Sequence, residues 1–210
     1  MAHNFELLRR KMVTEQLERR NIQSAAVLQA MRTVPRHLFV PEELRSEAYS
    51  DCPLPIGLGQ TISQPYIVAF MTEQLQPAAG TKILEIGTGC GYQTAVLAQL
   101  GCQVYTVELL EELALSAQKV FAALRLDNIH ARNGNGYDGW PEAAPFDTIM
   151  VTAAPEIIPE SLVEQLKEGG KMIIPVGPAG AVQWLKLVVK KAGKIIERDM
   201  LPVRFVPLVE

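Results

Sequence analysis

One short stretch, residues 82–92, limits the fold of this chain more than any other. It begins with an apolar run over 83–86, as expected of a strand buried in a parallel sheet with both faces covered. Glycines then occupy alternate positions over 87–91, so the backbone can turn sharply and approach a ligand. The next residues predict a helix over 92–100, whose N-terminal N–H groups and dipole point toward that loop. The stretch indicates an α/β fold with a nucleotide-like ligand.

The spacing of the glycines separates the candidate ligands. A dinucleotide fingerprint needs G-x-G-x-x-G, but Tyr92 stands where the third glycine is required, and no Lys-Ser or Lys-Thr follows as in a P-loop. Glu85, just before the loop, suits a cationic ligand better than a pyrophosphate. The next strand ends at Glu108, roughly 20 residues on, where an acidic residue binds a ribose diol. This half of the chain resembles an S-adenosylmethionine (AdoMet) methyltransferase. A dehydrogenase and a ligand-free turn are the alternatives.

Length, charge and cysteine usage narrow the class of protein. The 210 residues suit one domain, or one domain with an N-terminal addition. A formal net charge of −3 argues against nucleic acid as a main partner. The three cysteines lack a C-x-x-C pair and the three histidines are far apart, so we expect neither a disulfide framework nor a metal site. Residues 1–11 lack the apolar core of a signal peptide, and no apolar run is long enough to span a membrane, so we expect a cytoplasmic location.

The hydrophobic pattern predicts a doubly wound α/β fold. We expect a mostly parallel, seven-stranded, Rossmann-like sheet with helices on both faces and an N-terminal helical addition. Residues 1–76 form that addition and a substrate and cofactor loop, and residues 77–210 form the AdoMet-binding core, as one compact unit. The predicted helices lie near 5–20, 24–33, 65–75, 92–100, 110–125 and 159–167. The predicted strands lie near 82–86, 103–107, 128–132, 146–151, 171–175, 183–190 and 194–206.

The segment 50–64 is the most unusual part of the chain. Its prolines and glycines make it too irregular for a strand, and it is too apolar for a disordered linker. We interpret it as an ordered functional loop. Ser63 is a candidate N-cap for the following helix, with Pro65 in the first turn.

Two further segments belong at the carboxyl edge of the predicted sheet. Residues 133–140 form a second glycine-rich loop after the third strand, and residues 152–155 are small residues after the fourth strand. In a doubly wound sheet, such segments gather around the ligand crevice. Tight packing is the alternative reading of the small residues.

Motifs from the N-terminal helices to the last residues resemble one family, the protein-L-isoaspartate O-methyltransferases. The glycine loop is shared by many methyltransferases, whereas the Gln-Thr-Ile-Ser-Gln-Pro and Arg-Phe-Val-Pro-Leu elements are specific to this family. The segments that carry the resemblance are 34–36 with 39–40, 54–57, 60–65, 84–94, 145–147, 151–155, 168–170 with 175–177, and 204–208.

The resemblance implies an enzyme that starts the repair of aged proteins. Such an enzyme methylates the free α-carboxylate of an L-isoaspartyl residue, and the ester collapses to a succinimide. AdoMet is the implied donor, S-adenosyl-L-homocysteine the product, isoaspartyl peptides and proteins the partners, and a monomer the expected state. A carboxylate of pKa about 3–4 is already ionised at neutral pH, so positioning replaces a strong general base. A carboxyl methyltransferase for another acceptor and a non-catalytic AdoMet-sensing or protein-binding module are the alternatives.

The resemblance also assigns site residues. Ser63 is the implied catalytic residue, orienting the acceptor carboxylate rather than attacking it covalently. The implied cofactor-binding residues are Gln60, Thr61, Ile62, Ser63, Glu85, Ile86, Gly87, Gly89, Gly91, Glu108, Leu109, Asn135 and Gly136. The implied substrate-binding residues are Thr61, Ile62, Thr152, Ala153, Ala154, Val206 and Pro207.

One position departs from the family pattern. The second glycine loop usually reads Gly-Asp-Gly, with the aspartate facing the adenine amino group, whereas this chain has Asn135 there. A neutral carbonyl accepts a weaker hydrogen bond than a carboxylate. We therefore expect weakened AdoMet affinity and tighter binding in an Asn135→Asp variant.

Overall fold

The computed structural model describes residues 4–210. His3, one of the three histidines expected not to form a metal site, lies outside the described residues. The structure confirms a mixed α/β architecture. The helices are α1 Phe5–Met12, α2 Ala25–Thr33, α3 Pro65–Leu75, α4 Tyr92–Gln99, α5 Glu111–Ala123 and α6 Glu160–Gln165. The strands are β1 Leu54–Gly57, β2 Gln60–Ile62, β3 Lys82–Ile86, β4 Gln103–Glu108, β5 Ile129–Asn133, β6 Phe146–Val151, β7 Leu166–Val176, β8 Gln183–Lys191 and β9 Lys194–Val203.

The central sheet has seven strands in the order β5-β4-β3-β6-β7-β8-β9. Strands β3 to β7 run parallel, and β8 and β9 are added antiparallel. The predicted doubly wound, mostly parallel sheet is therefore confirmed. The strand order reverses between β3 and β6, and a reversal of this kind opens a ligand crevice at the carboxyl ends of the strands.

Helices cover both faces of this sheet. On one face, Ile83 of β3 packs in a cluster with Leu75 of α3 and Leu97 of α4. On the other face, Leu84 packs with Leu162 of α6. Consecutive strand residues therefore serve opposite cores, which explains why the strand is apolar without alternation.

The N-terminal residues pack onto the sheet's helical layer. The predicted helix over 5–20 begins as α1 and continues through a π-helical turn at Val13–Leu17 and a 3₁₀ turn at Glu18–Arg20. One hydrophobic cluster contains Leu17, Met31 of α2 and Tyr92 of α4. The addition and the sheet thus share buried side chains.

The prediction of an irregular loop over 50–64 is wrong in part. Residues 54–57 and 60–62 form an antiparallel hairpin, with Leu54 opposite Ile62. The turn uses positive φ values at residues 57–59, so two glycines and Leu58 make a hairpin from a segment whose composition suggested none. The hairpin lies beside the glycine loop: a Cβ added at Gly89 would be 3.4 Å from the Ile56 side chain of β1.

Two other boundaries differ from the predictions. Helix α6 ends at Gln165, and β7 begins at once with Leu166, whereas the strand was expected from 171. Gly169 and Gly170 lie in an irregular stretch where the pairing of β7 with β6 shifts register, so a glycine pair that suggested a turn belongs to a bulged strand.

Arg36 is a buried cation beside the crevice. Its side chain is inaccessible to solvent, its Nε donates to the Ala48 carbonyl over 2.7 Å, and its guanidinium lies 4.8 Å from the centre of the Tyr92 ring. Burial lowers the pKa of Arg36, opposed by Tyr92 and nearby cysteines. Contact with an aromatic face partly replaces the missing anion.

Candidate active site

The glycine loop after β3 needs glycine for two separate reasons. Gly87 has a φ of 92°, and a Cβ there would meet the Thr152 hydroxyl at 2.5 Å. Gly91 has a φ of 89°, and a Cβ there would meet the Phe121 ring of α5 at 2.5 Å. Real Cβ atoms do not approach so closely, so both positions exclude larger residues. Gly87 opens the crevice, whereas Gly91 lets α4 pack against α5.

Glu108 ties the end of β4 to this loop. Its Oε2 accepts from the Gly89 amide over 2.7 Å, and its Oε1 accepts from the Leu110 amide over 3.0 Å. The side chain is only 7% exposed and lines the crevice. Because each carboxylate oxygen has two lone pairs, Glu108 can hold the loop and still accept from a diol.

Glu85 lies beneath the loop and not in the crevice wall. It is inaccessible to solvent; its Oε2 accepts from the hydroxyls of Thr94 and Thr106, and its Oε1 has no hydrogen-bond partner within residues 4–210. Burial raises the pKa of Glu85 to about 7, opposed by the two hydroxyls. The hydroxyl of Thr106 also contacts that of Thr88, which does line the crevice. Glu85 is therefore linked to the crevice through two threonines.

The crevice opens where β3 and β6 end side by side. Thr152, directly after β6, donates its amide to the Ile86 carbonyl over 2.9 Å and its hydroxyl to the Gly87 carbonyl over 2.7 Å. These bonds fix the two strand exits against each other at the topological switch point. The predicted residues that line this first cavity are Gln60, Thr61, Ile62, Ser63, Ile86, Gly87, Gly89, Glu108, Leu109, Gly136, Thr152, Ala153, Val206 and Pro207.

A second cavity adjoins the first. It is lined by residues of the β1–β2 region, of α3, of the exit from β6, of the turn before β8, and of the end of β9 with the segment that follows. Four residues line both cavities: Thr61, Ser63, Thr152 and Val206. We call these four residues the shared wall. The two cavities therefore adjoin at these four residues.

Ser63 stands in the shared wall with a free hydroxyl. The prediction that it caps α3 is wrong, because the N-cap position is held by Gln64 and no side chain bonds the first turn. Ser63 is half-buried, and its hydroxyl has no hydrogen-bond partner among residues 4–210. It is therefore available to a ligand.

The segment after β9 forms the outer side of both cavities. Val206 accepts from the Ala154 amide over 2.8 Å, and Leu208 donates to the Ala154 carbonyl over 2.9 Å. Buried Gln183 accepts from the Phe205 amide over 2.6 Å and donates to its carbonyl over 3.1 Å. Ala154 thus lies behind the wall and anchors it.

Of the two predicted residues in the second glycine loop, one lines the first cavity and the other does not. Gly136 lines the first cavity, where a Cβ would meet Ile86 at 2.6 Å. The Asn135 side chain instead accepts from the Tyr137 amide over 2.9 Å and is not in the cavity wall. Glu85, Gly91, Asn135 and Ala154 are the predicted site residues that the structure leaves outside both walls.

Comparison with known proteins identifies the family. The model of the protein-L-isoaspartate(D-aspartate) O-methyltransferase family matches residues 8–210. The chain belongs to this family. A protein-L-isoaspartate O-methyltransferase of Opitutus terrae is 57% identical over 199 residues, which cover 95% of this chain and 85% of the relative. One from Synechococcus is 52% identical over 211 residues, covering 98% and 86%.

A solved structure extends the match to three dimensions. A putative protein-L-isoaspartate O-methyltransferase from Plasmodium falciparum, in complex with S-adenosyl-L-homocysteine, superposes with a TM-score of 0.83 at 29% identity. The match covers 96% of this chain and 98% of that one. The family's fold is therefore present here with little added or lost.

The first cavity fits AdoMet on this chain's own geometry. Gly87 and Gly89 have no side chains and so leave room at the switch point. The Glu108 carboxylate lines the cavity, and the backbone of the glycine loop is exposed to a ligand in it. No basic side chain lines the cavity within residues 4–210, as expected for a ligand that carries a sulfonium and no phosphate. These features suit AdoMet better than a dinucleotide.

Sequence reasoning missed several wall residues. They are Val68, Thr88, Cys90, Tyr92, Gln93, Val107, Leu110, Leu208 and Val209 in the first cavity, and Arg204 among others in the second. Most of these missed residues are sequence neighbours of predicted ones, so their positions in the loops after β3 and β4 could have indicated that they line the cavity. Val68 could not be found this way, because only the packing of α3 brings it to the cavity.

The described residues contain neither a metal-binding cluster nor a helix suited to a membrane. Across residues 4–210, no three His, Cys, Asp or Glu side chains are grouped so as to hold a metal ion. Among the helices of the same residues, none combines the length and hydrophobicity needed to cross a bilayer.

Proposed function

We propose that this chain transfers a methyl group from AdoMet to the free α-carboxylate of L-isoaspartyl residues in damaged peptides and proteins. The ester then collapses to a succinimide, which opens the route to repair. The observation that carries the proposal is the shared wall: a cavity that suits AdoMet and a cavity open to a peptide meet at Thr61, Ser63, Thr152 and Val206. Family membership supplies the chemical identity of the acceptor.

The cofactor would be held mainly by the sheet's carboxyl edge. In this proposal, Glu108 accepts from the ribose hydroxyls, and the backbone at Gly87 and Gly89 approaches the methionine part. Leu109 and Gly136 enclose the adenosine. Bound AdoMet supplies an electrophilic methyl group on a sulfonium. Glu85 would act from outside the cavity, through its bonds to Thr94 and Thr106, and Asn135 would accept from the adenine amino group from the loop that carries Gly136.

The acceptor needs orientation more than activation. A carboxylate with an ordinary pKa of about 3–4 is ionised at neutral pH, so no proton has to be removed before it reacts. We assign to Ser63 the role of donating its free hydroxyl to one carboxylate oxygen, leaving the other aimed across the wall. Correct placement of two reactants contributes a large part of the rate in such reactions.

The outer segment excludes water and receives the peptide. Val206 lines both cavities and Pro207 lines the first. The Val206 carbonyl is fixed by the Ala154 amide, and Gln183 fixes the backbone of the preceding Phe205. Thr61, one of the four residues of the shared wall, is exposed on β2. We propose that an extended peptide lies along β2 and this segment and is held largely by main-chain hydrogen bonds, which tolerate many flanking sequences.

The remaining assignments concern the state of the whole chain. We propose that residues 1–76 and 77–210 act as one compact unit, supported by the cluster that joins Leu17, Met31 and Tyr92. We further propose a cytoplasmic monomer that needs neither nucleic acid nor a membrane. The net charge of −3 and the three free cysteines support this setting.

The test uses two synthetic peptides that are identical except for isoaspartate or aspartate at one position, with labelled AdoMet as donor. Base-labile label on the isoaspartyl peptide alone is the expected result. Label on neither peptide, with S-adenosyl-L-homocysteine binding intact, would contradict the proposal and favour another carboxylate acceptor. Failure to bind the product at all would favour a non-catalytic module.

A further inference from the structure

The second cavity contains one charge that the proposed reaction does not use. Of residues 4–210, twelve line this cavity, and Arg204 is the only one of these with an ionisable side chain. Arg204 is exposed, and it forms no ion pair or side-chain hydrogen bond with any of residues 4–210. The rest of the lining is apolar or neutral, so the guanidinium sets the electrostatic character of the cavity.

Two cations on the β8–β9 hairpin, which ends just before Arg204, are in a different situation. Lys186 of β8 lies 2.8 Å from Asp199 and 3.2 Å from Glu197, and its charge is thereby balanced. Arg198 of β9 is exposed but lines neither cavity. Arg204 is thus unusual in having both an unbalanced charge and a place in the cleft, in a chain whose net charge is −3.

The backbone next to Arg204 holds this charge in place. Both polar backbone groups of Phe205 are bonded to the buried Gln183 side chain, over 2.6 and 3.1 Å. Val206, two residues after Arg204, is bonded to Ala154 and belongs to the shared wall. The arginine therefore projects from a fixed segment close to Ser63, not from a loose terminus.

We infer that Arg204 selects isoaspartyl peptides that carry an acidic side chain within one or two residues of the isoaspartate. This inference rests on the proposed function, because it assumes that the isoaspartyl carboxylate sits at Ser63. A peptide in that position lays its neighbouring residues along the lining that contains Arg204. An arginine is suited to bind a second carboxylate there, since its planar fork matches the two oxygens.

The expected effect is moderate, since the pair is partly exposed. Exposed ion pairs contribute little and charge-assisted bonds contribute more, so we expect a KM about 3- to 10-fold lower for an acidic peptide than for its neutral counterpart. The advantage shrinks as salt is raised, because solvent-exposed charges are screened. The value of kcat is expected to stay the same, since Arg204 is away from the transferred methyl group.

The experiment uses isoaspartyl peptides with blocked termini that carry either glutamate or glutamine, placed before or after the isoaspartate in separate peptides. The wild-type enzyme, Arg204→Gln, Arg204→Lys and the charge-matched control Arg198→Gln are compared. We expect the glutamate preference in KM from at least one placement, its loss in Arg204→Gln, partial retention in Arg204→Lys and full retention in Arg198→Gln. Equal KM values for the two peptides in the wild type, or an equal loss in Arg198→Gln, would overturn the inference.

A binding arm separates this inference from the proposed function. Anisotropy of the same fluorescent peptides is measured with enzyme saturated by S-adenosyl-L-homocysteine. Tighter binding of the acidic peptide that depends on Arg204 supports the inference even where no methyl transfer occurs, in which case the proposed reaction alone fails. Equal binding of both peptides overturns it. A further peptide with a free C-terminal carboxylate and a neutral neighbour shows whether a chain terminus can replace the acidic side chain.

Discussion

The two cavities that meet at the shared wall are built in opposite ways. The walls of the first come largely from the buried carboxyl ends of β3 and β4 and from the loops that follow them. The second is lined by exposed residues such as Thr61, Pro202 and Val182, from segments far apart in the sequence. The first cavity is therefore part of the core and the second part of the surface. Changes in the first should alter both binding and stability, whereas changes in the part of the second that lies outside the shared wall should alter the choice of substrate.

The largest loss of both ligand affinity and stability is expected from a change in the first cavity. In Gly87→Ala, the new Cβ would meet the Thr152 hydroxyl at 2.5 Å in a backbone with a φ of 92°. We expect S-adenosyl-L-homocysteine affinity to fall by about 100-fold or more, since overpacking and backbone strain each cost on the order of 1–3 kcal/mol. Isothermal titration calorimetry and urea unfolding measure the two losses.

The matched control for that variant is Gly169→Ala. Gly169 also has a positive φ, 77°, but a Cβ there meets nothing within 4 Å, and the residue lines neither cavity. It should lose some stability and keep its affinity for the product. Equal loss of affinity in both variants would mean that Gly87 matters only through folding.

A smaller loss is expected from Glu108→Gln. The carboxylate now accepts from the Gly89 and Leu110 amides, and an amide side chain would turn an NH₂ group toward one of those donors. We expect affinity for S-adenosyl-L-homocysteine to fall by about 10- to 100-fold, from one lost charge-assisted bond and a misoriented loop. Glu142→Gln, exposed and outside the cavity, is the control in the same titration. Unchanged affinity in Glu108→Gln would remove Glu108 from the ribose site.

The buried Glu85 should make stability depend on pH. Its pKa in the folded chain is raised to about 7 from 4.5, so between these values the folded state binds more protons than the unfolded state. The contribution of Glu85 to the free energy of unfolding therefore falls as pH rises from about 5 to 7, by on the order of 1–3 kcal/mol. Urea unfolding at several pH values should show this slope in the wild type and a flatter one in Glu85→Gln. Parallel slopes for the two proteins would refute the assignment.

The smallest effect on ligand affinity is expected for Asn135→Asp, at a residue that lines neither cavity. The Asn135 oxygen already accepts from the Tyr137 amide, and its other terminal atom is an NH₂ donor. Aspartate would keep the first bond and add a charged acceptor, so we expect S-adenosyl-L-homocysteine to bind about 2- to 5-fold more tightly. Calorimetry on the two proteins checks this. Equal or weaker binding would show that position 135 acts on the loop alone.

The same contrast explains what could be predicted from the sequence. The fold and most of the first cavity follow from local signals: the apolar run of β3, the glycine spacing and the acid at the end of β4. The hairpin over 54–62 was missed because its prolines and glycines resemble a loop, and only its pairing with itself reveals strands. The local sequence made Ser63 a candidate cap, which the structure contradicts, because capping residues and ligand-binding residues are chemically alike; only the family resemblance gave it a catalytic role. Arg204 was given no role, because the neighbouring sequence does not show that its side chain has no acidic partner in the folded chain.

The most direct test of the shared wall is the Ser63→Ala variant. Its affinity for S-adenosyl-L-homocysteine and its rate of methyl transfer to an isoaspartyl peptide are measured on one preparation. We predict affinity within about twofold of the wild type and a fall in kcat/KM of about 10- to 100-fold, as for the loss of one hydrogen bond to a charged group. An unchanged kcat/KM would contradict the account, because the acceptor carboxylate would then not be held at the wall between the two cavities.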